Sequence, residues 1–502
     1  MQPMLRRSLP LLLVLVLGSA TLTSAPVCAA EPRLVPTPRA TLLPTSPTNR
    51  PFLGADHALA PVNLAARGYL ESEWLVTGYA AMYDWSAAGA PEAVKARQAA
   101  VPYATRILVR RPKDAAKFSG RVIVELLDPS EQYDSAPLWG LSWEQFTRSG
   151  DAWVGVTVKP VAAAALRRFD PVRYAGVSFA LQHSGDCATS ADAEDGLAWD
   201  LIAQVGALLR SSSKENPLLQ LNPQRLIAAG YADAGGYIIT YVNALHALLR
   251  LGDGAPVFDG YLDAAGAQPA PINQCAAPLT ADDARRHSPP MGAPFVTVMT
   301  ESDVLRDARP PRDDADEPGV LRLYELAGAA HSGPFAAGQP AAADLTIAGR
   351  TAPADDLCRE PRGDFPQAYA FNAIWQQYDD LLVRQIPMTR EPRIERDAGA
   401  VLRDAAGNAR GGFRLPQIDV RLAAYSGAST ARSADARAQG LCALAGAQRK
   451  FDAATLKSTY RTRAEFLRRF NAAVDAAVIA RRVVAQDAAA IKAAAARAAP
   501  AF

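Results

Sequence analysis

Short apolar or alternating runs recur along the chain: WLVTGYAAMYDW, ATRILVR, RVIVELL, AWVGVTV, RLIAAG, APFVTVM and VLRLYEL. Several are bounded by Gly, Pro or Asp, the residues that usually flank strands. Between them lie helical patterns, notably DGLAWDLIAQVGALLRS and GYIITYVNALHALLRL. In the second, Ile238, Tyr241, Val242, Leu245, Leu248 and Leu249 recur at the spacing of one helix face. Strands alternating with helices predict an α/β chain built on a mostly parallel sheet covered by helices. No internal repeat breaks this pattern. The last fifty residues are rich in Ala and Arg and read as helical, with AAAIKAAAARAAP as a frayed end.

The run at 225–230 leads into a stretch with its own chemistry. RLIAAGYADAGGYIITYV turns through Gly230, Tyr231, Ala232, Asp233, Ala234 and Gly235 and restarts at once as a helix. This is the sequence shape of a nucleophile elbow, a tight strand-to-helix turn that displays an attacking side chain. Its backbone needs small residues two before and two after the tip. Centred on Ala232 those neighbours are Gly230 and Ala234; centred on Asp233 they are Tyr231 and Gly235. The first reading fits better, yet a methyl group cannot attack a carbonyl. A carboxylate nucleophile at Asp233 is the alternative.

Composition narrows the partners. With 53 basic and 51 acidic residues, interspersed, nothing points to nucleic acid or an anionic membrane surface. The first 30 residues carry Arg6 and Arg7, a short apolar core and small residues around Ala29 and Ala30, which reads as a signal peptide. Export implies a secreted or periplasmic protein. No later stretch is apolar for long enough to span a bilayer as a helix. Residues 31–52 form a Pro-rich extended leader, 53–460 the main domain with insertions, and 461–502 an Ala/Arg-rich helical tail. After removal of the signal, Cys187, Cys275, Cys358 and Cys442 remain, without metal-ligand spacing, so two disulfides of undetermined pairing are expected. Five histidines, none spaced i, i+4, argue against a metal site, and nothing in the chain calls for a cofactor.

Several segments together resemble a family of bacterial α/β-hydrolase-domain proteins: GYLESEWLVTGYAAMYDW, YATRILVRRPKDAAKFSGRVIVELLDPS, SGDAWVGVTVKP, GLAWDLIAQVGALLR, VFDGYLDA and RDAAGNARGGFRLP. The likeness runs in order from Gly68 to Tyr460. It implies the α/β-hydrolase fold with insertions and a carboxylic ester hydrolase ancestry. In that family the elbow resembles Gly-x-Ser-Gln-Ser/Thr-Gly, with the first serine as nucleophile. Here Ala232, Asp233 and Ala234 stand at those three positions, so the nucleophile is lost and catalysis impaired. The chain order nucleophile, acid, histidine places Glu301 or Asp303 as the acid and His331 as the base, at the ends of two successive strands. An oxyanion hole needs backbone N–H groups, here Asp233 and the ELLDPS loop near Leu127 and Asp128. The family tends to have asparagine where Asp128 stands, and a carboxylate there opposes a developing oxyanion. Trp139, Trp143 and Trp199 are candidates to line an acyl pocket. The HSGDC stretch, His183 to Cys187, sets Ser beside His but not face to face, and is discounted. The expected partner is a small ester or carboxylate ligand, cleaved or merely held.

Overall fold

The computed structural model describes residues 32–46, 49–86, 94–179, 193–266, 268–280, 282–286, 292–306, 321–333, 335–352 and 357–501. The expected signal peptide and the HSGDC stretch fall outside these residues, as does Cys187.

All seven strand-like runs of the sequence fall in one nine-stranded sheet. In chain order its strands are β1 (Arg39–Leu43), β2 (Tyr69–Trp85), β3 (Val94–Pro112), β4 (Arg121–Leu126), β5 (Ala152–Val156), β6 (Arg225–Tyr231), β7 (Gly260–Ala264), β8 (Phe295–Thr300) and β9 (Leu321–Leu326). They lie side by side as β9-β8-β7-β6-β4-β5-β3-β2-β1. From β9 to β5 neighbours run parallel; β3, β2 and β1 add on antiparallel. Every residue of β4, β5, β7, β8 and β9 is buried, because helices cover both faces of a parallel sheet. The covering helices include α1 (Pro137–Ser149), α2 (Pro160–Phe169), α3 (Ala198–Arg210), α4 (Asp233–Thr240), α5 (Glu301–Arg306) and α6 (Ala368–Arg384). This is the α/β-hydrolase fold.

Three segments differ from their sequence reading. The Pro-rich leader is not merely extended, since β1 lies within it and pairs with β2 from Arg39↔Thr77 to Leu43↔Glu73. Pro38 and Pro44 flank this strand, and an edge position tolerates proline. The long helix expected through Leu251 is α4 followed by a single π-helical turn over Tyr241–Leu245, after which Leu249–Arg250 pairs as a short strand with Arg33–Leu34. Ile238, Tyr241, Val242, Leu245 and Leu249 are buried all the same, because hydrophobic spacing reports the face and not the winding. The alanine-rich end is not frayed. It forms α10 (Ala488–Ala498), and Ile491 and Ala495 are buried on that helix.

The C-terminal region combines helices with a small hairpin. The hairpin strands are β10 (Ala423–Ser426) and β11 (Ala447–Lys450); around them lie α7 (Ala436–Ala445), α8 (Ala453–Tyr460), α9 (Arg463–Ile479) and α10. A disulfide joins Cys358 to Cys442 on α7.

Candidate active site

The turn between β6 and α4 has the backbone of an elbow. Ala232 sits at its tip with φ 52° and ψ −121°, a conformation L-residues avoid and functional sites retain. Its N–H donates to the Ala264 carbonyl at 2.9 Å, tying the tip to the end of β7. The flanking small residues are required by space. A Cβ on Gly230 would lie 2.3 Å from the Ala234 carbonyl oxygen, and one on Gly235 would lie 2.3 Å from Asp263 Oδ1. Ala232 is therefore the apex, and Asp233 is the first residue of α4, exposed, where a carboxylate suits the helix dipole.

The two candidate acids have different surroundings. Asp303 Oδ1 lies 2.8 Å from His331 Nδ1. Its other oxygen accepts from the Thr300 N–H at 2.9 Å and from the Thr300 hydroxyl, so the carboxylate is fixed at the start of α5. Glu301 does not meet the histidine. It pairs with Arg403 at 2.7 Å and accepts from Gly328 N–H at 2.8 Å and Gly427 N–H at 3.1 Å. It clasps the C-terminal region to the β8 and β9 ends.

The His331 backbone is held from several directions. Its N–H donates to Ser302 Oγ at 3.0 Å, and its carbonyl accepts from the Tyr231 hydroxyl at 2.7 Å. The preceding N–H, of Ala330, donates to Gln367 at 3.1 Å, and the following one, of Ser332, to the Leu444 carbonyl at 2.9 Å. Tyr231 thus links the residue before the elbow tip to the histidine loop, and its ring centroid lies 5.6 Å from the imidazole. Neither contact could be read from sequence. Burial alone would lower the His331 pKa, but the charge and hydrogen bond of Asp303, and then Asp128, more than offset it and raise the value.

Asp128 faces the same space. Burial pushes its carboxyl up to about 7 against the hydrogen bonds from Ser130; Asp233 pushes the same way and His331 opposes. The ELLDPS loop does not supply the expected oxyanion donor. Leu127 N–H donates to the Val156 carbonyl at 2.9 Å, within the sheet, and Asp128 N–H to the Ser135 carbonyl at 2.9 Å. Pro129 has no N–H, and Ser130 N–H turns back to Asp128 Oδ1 at 3.3 Å. Of the two expected sources, only the helix-start N–H of Asp233 has no acceptor among the described residues.

Trp139 is also misplaced by the sequence reading. It is fully buried, 5.2 Å from Trp153 between ring centroids and 4.4 Å from the Arg110 guanidinium, and has no surface to offer a ligand. Trp199 is likewise buried, bonded through Nε1 to the Ile272 carbonyl, and Trp143 packs against Arg67. A residue missed from sequence is Asp263, at the end of β7 behind the elbow. Burial, and then Asp303, hold its carboxyl well above the usual range. Among the described residues, no three His, Cys, Asp or Glu side chains form a metal-holding group, and no helix is long and apolar enough to cross a membrane.

Several solved structures resemble the chain. A lidless α/β serine hydrolase from Xanthomonas campestris is 12% identical over 54% of this chain and 90% of its own, with a TM-score of 0.24. A poly(3-hydroxybutyrate) depolymerase from Bordetella parapertussis is 13% identical over 57% and 88%, TM-score 0.27. A glucuronoyl esterase from Solibacter usitatus is 10% identical over 54% and 70%, TM-score 0.27. No curated protein matches the chain. The model of the alpha/beta hydrolase domain family, by contrast, matches residues 34–493, from just before β1 into α10. With an elbow at the end of β6 and a carboxylate–imidazole pair beyond it, the chain belongs to this alpha/beta hydrolase domain family.

Proposed function

We propose that the protein is an exported relative of carboxylic ester hydrolases whose elbow no longer supplies a nucleophile. One observation carries this reading: a methyl group stands at a strained elbow tip while Asp303 and His331 remain paired, with the His331 carbonyl bonded to Tyr231, the residue before the tip. In an active site of this design, the apex hydroxyl attacks the ester carbonyl as the imidazole removes its proton. Here Asp303 occupies Nδ1 and leaves Nε2 to take such a proton, but the apex has none to give. Loss of the nucleophile alone removes most of a triad's rate enhancement. The engaged amides from Leu127 to Ser130 argue in the same direction, because an oxyanion would find a donor on one side only. Asp233 is a poor substitute, since it starts the helix and not the turn. Export rests on the leader sequence and is supported by the Cys358–Cys442 disulfide, a bond favoured in oxidising compartments.

The test is restoration: Ala232→Ser alone, and combined with Asp233→Gln and Ala234→Ser. Wild-type protein should neither hydrolyse short aryl esters nor take up a fluorophosphonate probe at the elbow. The triple variant should do both, because general-base assistance contributes about 10²–10⁴-fold, and better than the single one, because Asp233→Gln removes an anion that opposes a developing oxyanion. Wild-type turnover abolished by Asp233→Asn would overturn the proposal in favour of an aspartate nucleophile. A folded triple variant with no burst and no labelling would show that more than the nucleophile has gone.

A second reading is supported by the imidazole, whose raised pKa favours a protonated form able to donate to such a ligand: the site holds an ester or carboxylate without cleaving it. A ligand bound only to the native state raises its stability. Thermal unfolding against a panel of esters and carboxylates should then show a shift that Asp128→Asn alters. A panel without any shift refutes this second reading.

A further inference from the structure

The C-terminal region contains a cleft of about 440 Å³ that is distinct from the elbow. Its floor is one face of the β10–β11 hairpin. Ala423 lies opposite Lys450 and Tyr425 opposite Gln448, and all four side chains border the space. Tyr425 and Phe451 offer partly exposed rings to it, Ala494 of α10 borders it as well, and Phe466 and Phe470 of α9 are buried beside it. A cavity of about 150 Å³ is enough for one benzene, so this one has room for a bicyclic ring and a polar head. Its size and apolar lining are those of a small-molecule site.

The mouth adds a charge pattern. Lys450 and Asp364 both border the cleft, both are exposed, and neither has an ion-pair partner among the described residues. Asp364 lies near enough to Tyr425 to add to burial in pushing the phenol up to about 12. An anionic head alone would meet Asp364 and a cationic head alone would meet Lys450. A head carrying both charges satisfies both.

We propose that this cleft binds a small aromatic zwitterion with the chemistry of an aromatic α-amino acid. The ring enters beside the partly exposed Tyr425 and Phe451, the carboxylate turns to Lys450, and the ammonium turns to Asp364. Edge-to-face contacts with the lining rings favour an aromatic over an aliphatic body.

Calorimetry on the full chain tests this with L-tryptophan, tryptamine and indole-3-acetate. L-Tryptophan should bind more tightly than either analogue, by roughly two- to five-fold for each exposed charge pair. Ala494→Trp should fill the cleft and abolish binding. Lys450→Met should erase the preference over tryptamine, and Asp364→Asn the preference over indole-3-acetate; both are surface changes that leave the core intact. The proposal is overturned if L-tryptophan does not bind at millimolar concentration. It is equally overturned if binding survives in folded Ala494→Trp, or if both preferences persist in the charge variants. Esterase results on Ala232 variants do not bear on it, since the elbow takes no part.

Discussion

Replacing Asp128 by Asn should stabilise the protein in a way that grows with pH. Asp128 is 7% exposed, and its hydrogen bonds from the described residues come from Ser130, the hydroxyl at 2.6 Å and the N–H at 3.3 Å. An asparagine oxygen can accept both. The folded carboxyl titrates at about 7 against an ordinary 3.8. Its pKa is raised, so the folded state holds a proton that the unfolded state has already released. Stability is therefore lost between about pH 4 and 7, and the loss levels off above that window. At 1.36 kcal/mol per pH unit, integration gives a cost of about 1.7 kcal/mol at pH 5 and about 4 kcal/mol at pH 8. Asn removes this cost, so its advantage over wild type should widen by about 2.5 kcal/mol between the two pH values. Urea unfolding of both proteins at pH 5 and pH 8 measures it directly, and titrating groups not coupled to Asp128 cancel in the difference. An advantage that is the same at both pH values, or a loss at pH 8, would refute the assignment of Asp128 as a buried, shifted carboxyl.

Asp303→Asn should lower the His331 pKa, read by imidazole proton shifts in NMR; unchanged titration would show that Asp303 does not set it. A histidine with a raised pKa contributes stability below its unfolded value near 6.5 and loses it as pH rises through the folded value. The variant should thus lose more stability relative to wild type at pH 5.5 than at pH 9. Replacing Cys358 and Cys442 together by Ser opens a link across 84 residues of sequence. The chain-entropy estimate is a loss of about 4.5 kcal/mol, and a loss under about 1 kcal/mol in urea unfolding would contradict it.

The sheet was readable because buried strands write their burial as short apolar runs, and the elbow because its turn admits only small residues at Gly230 and Ala234. The choice between Glu301 and Asp303 was not readable. Both follow the same strand, and what separates them is Arg403 and Gly427, more than a hundred residues away in sequence. The same holds for the Asp128 loop. Its N–H groups look available in sequence, but Ser135 and Val156 accept two of them through tertiary contacts. Trp139 misled because aromatic composition does not reveal which face a ring takes. The β1 strand was hidden by prolines that read as a linker but only mark the ends of an edge strand.

The Glu301 clasp has a consequence for how the molecule opens. Arg403 and Gly427 reach across from the C-terminal region to a carboxylate buried at the β8 end, and Ser302 on the next residue holds both the Gly427 carbonyl and the His331 amide. Breaking that junction would strand a buried charge and release the histidine loop at once. The hairpin and the imidazole therefore belong to one cooperative unit of local unfolding. Slow amide exchange at His331 should track that of the β10 hairpin and fall with it when Arg403 is replaced. A protease that nicks this hairpin would loosen the histidine loop without touching a residue of the elbow.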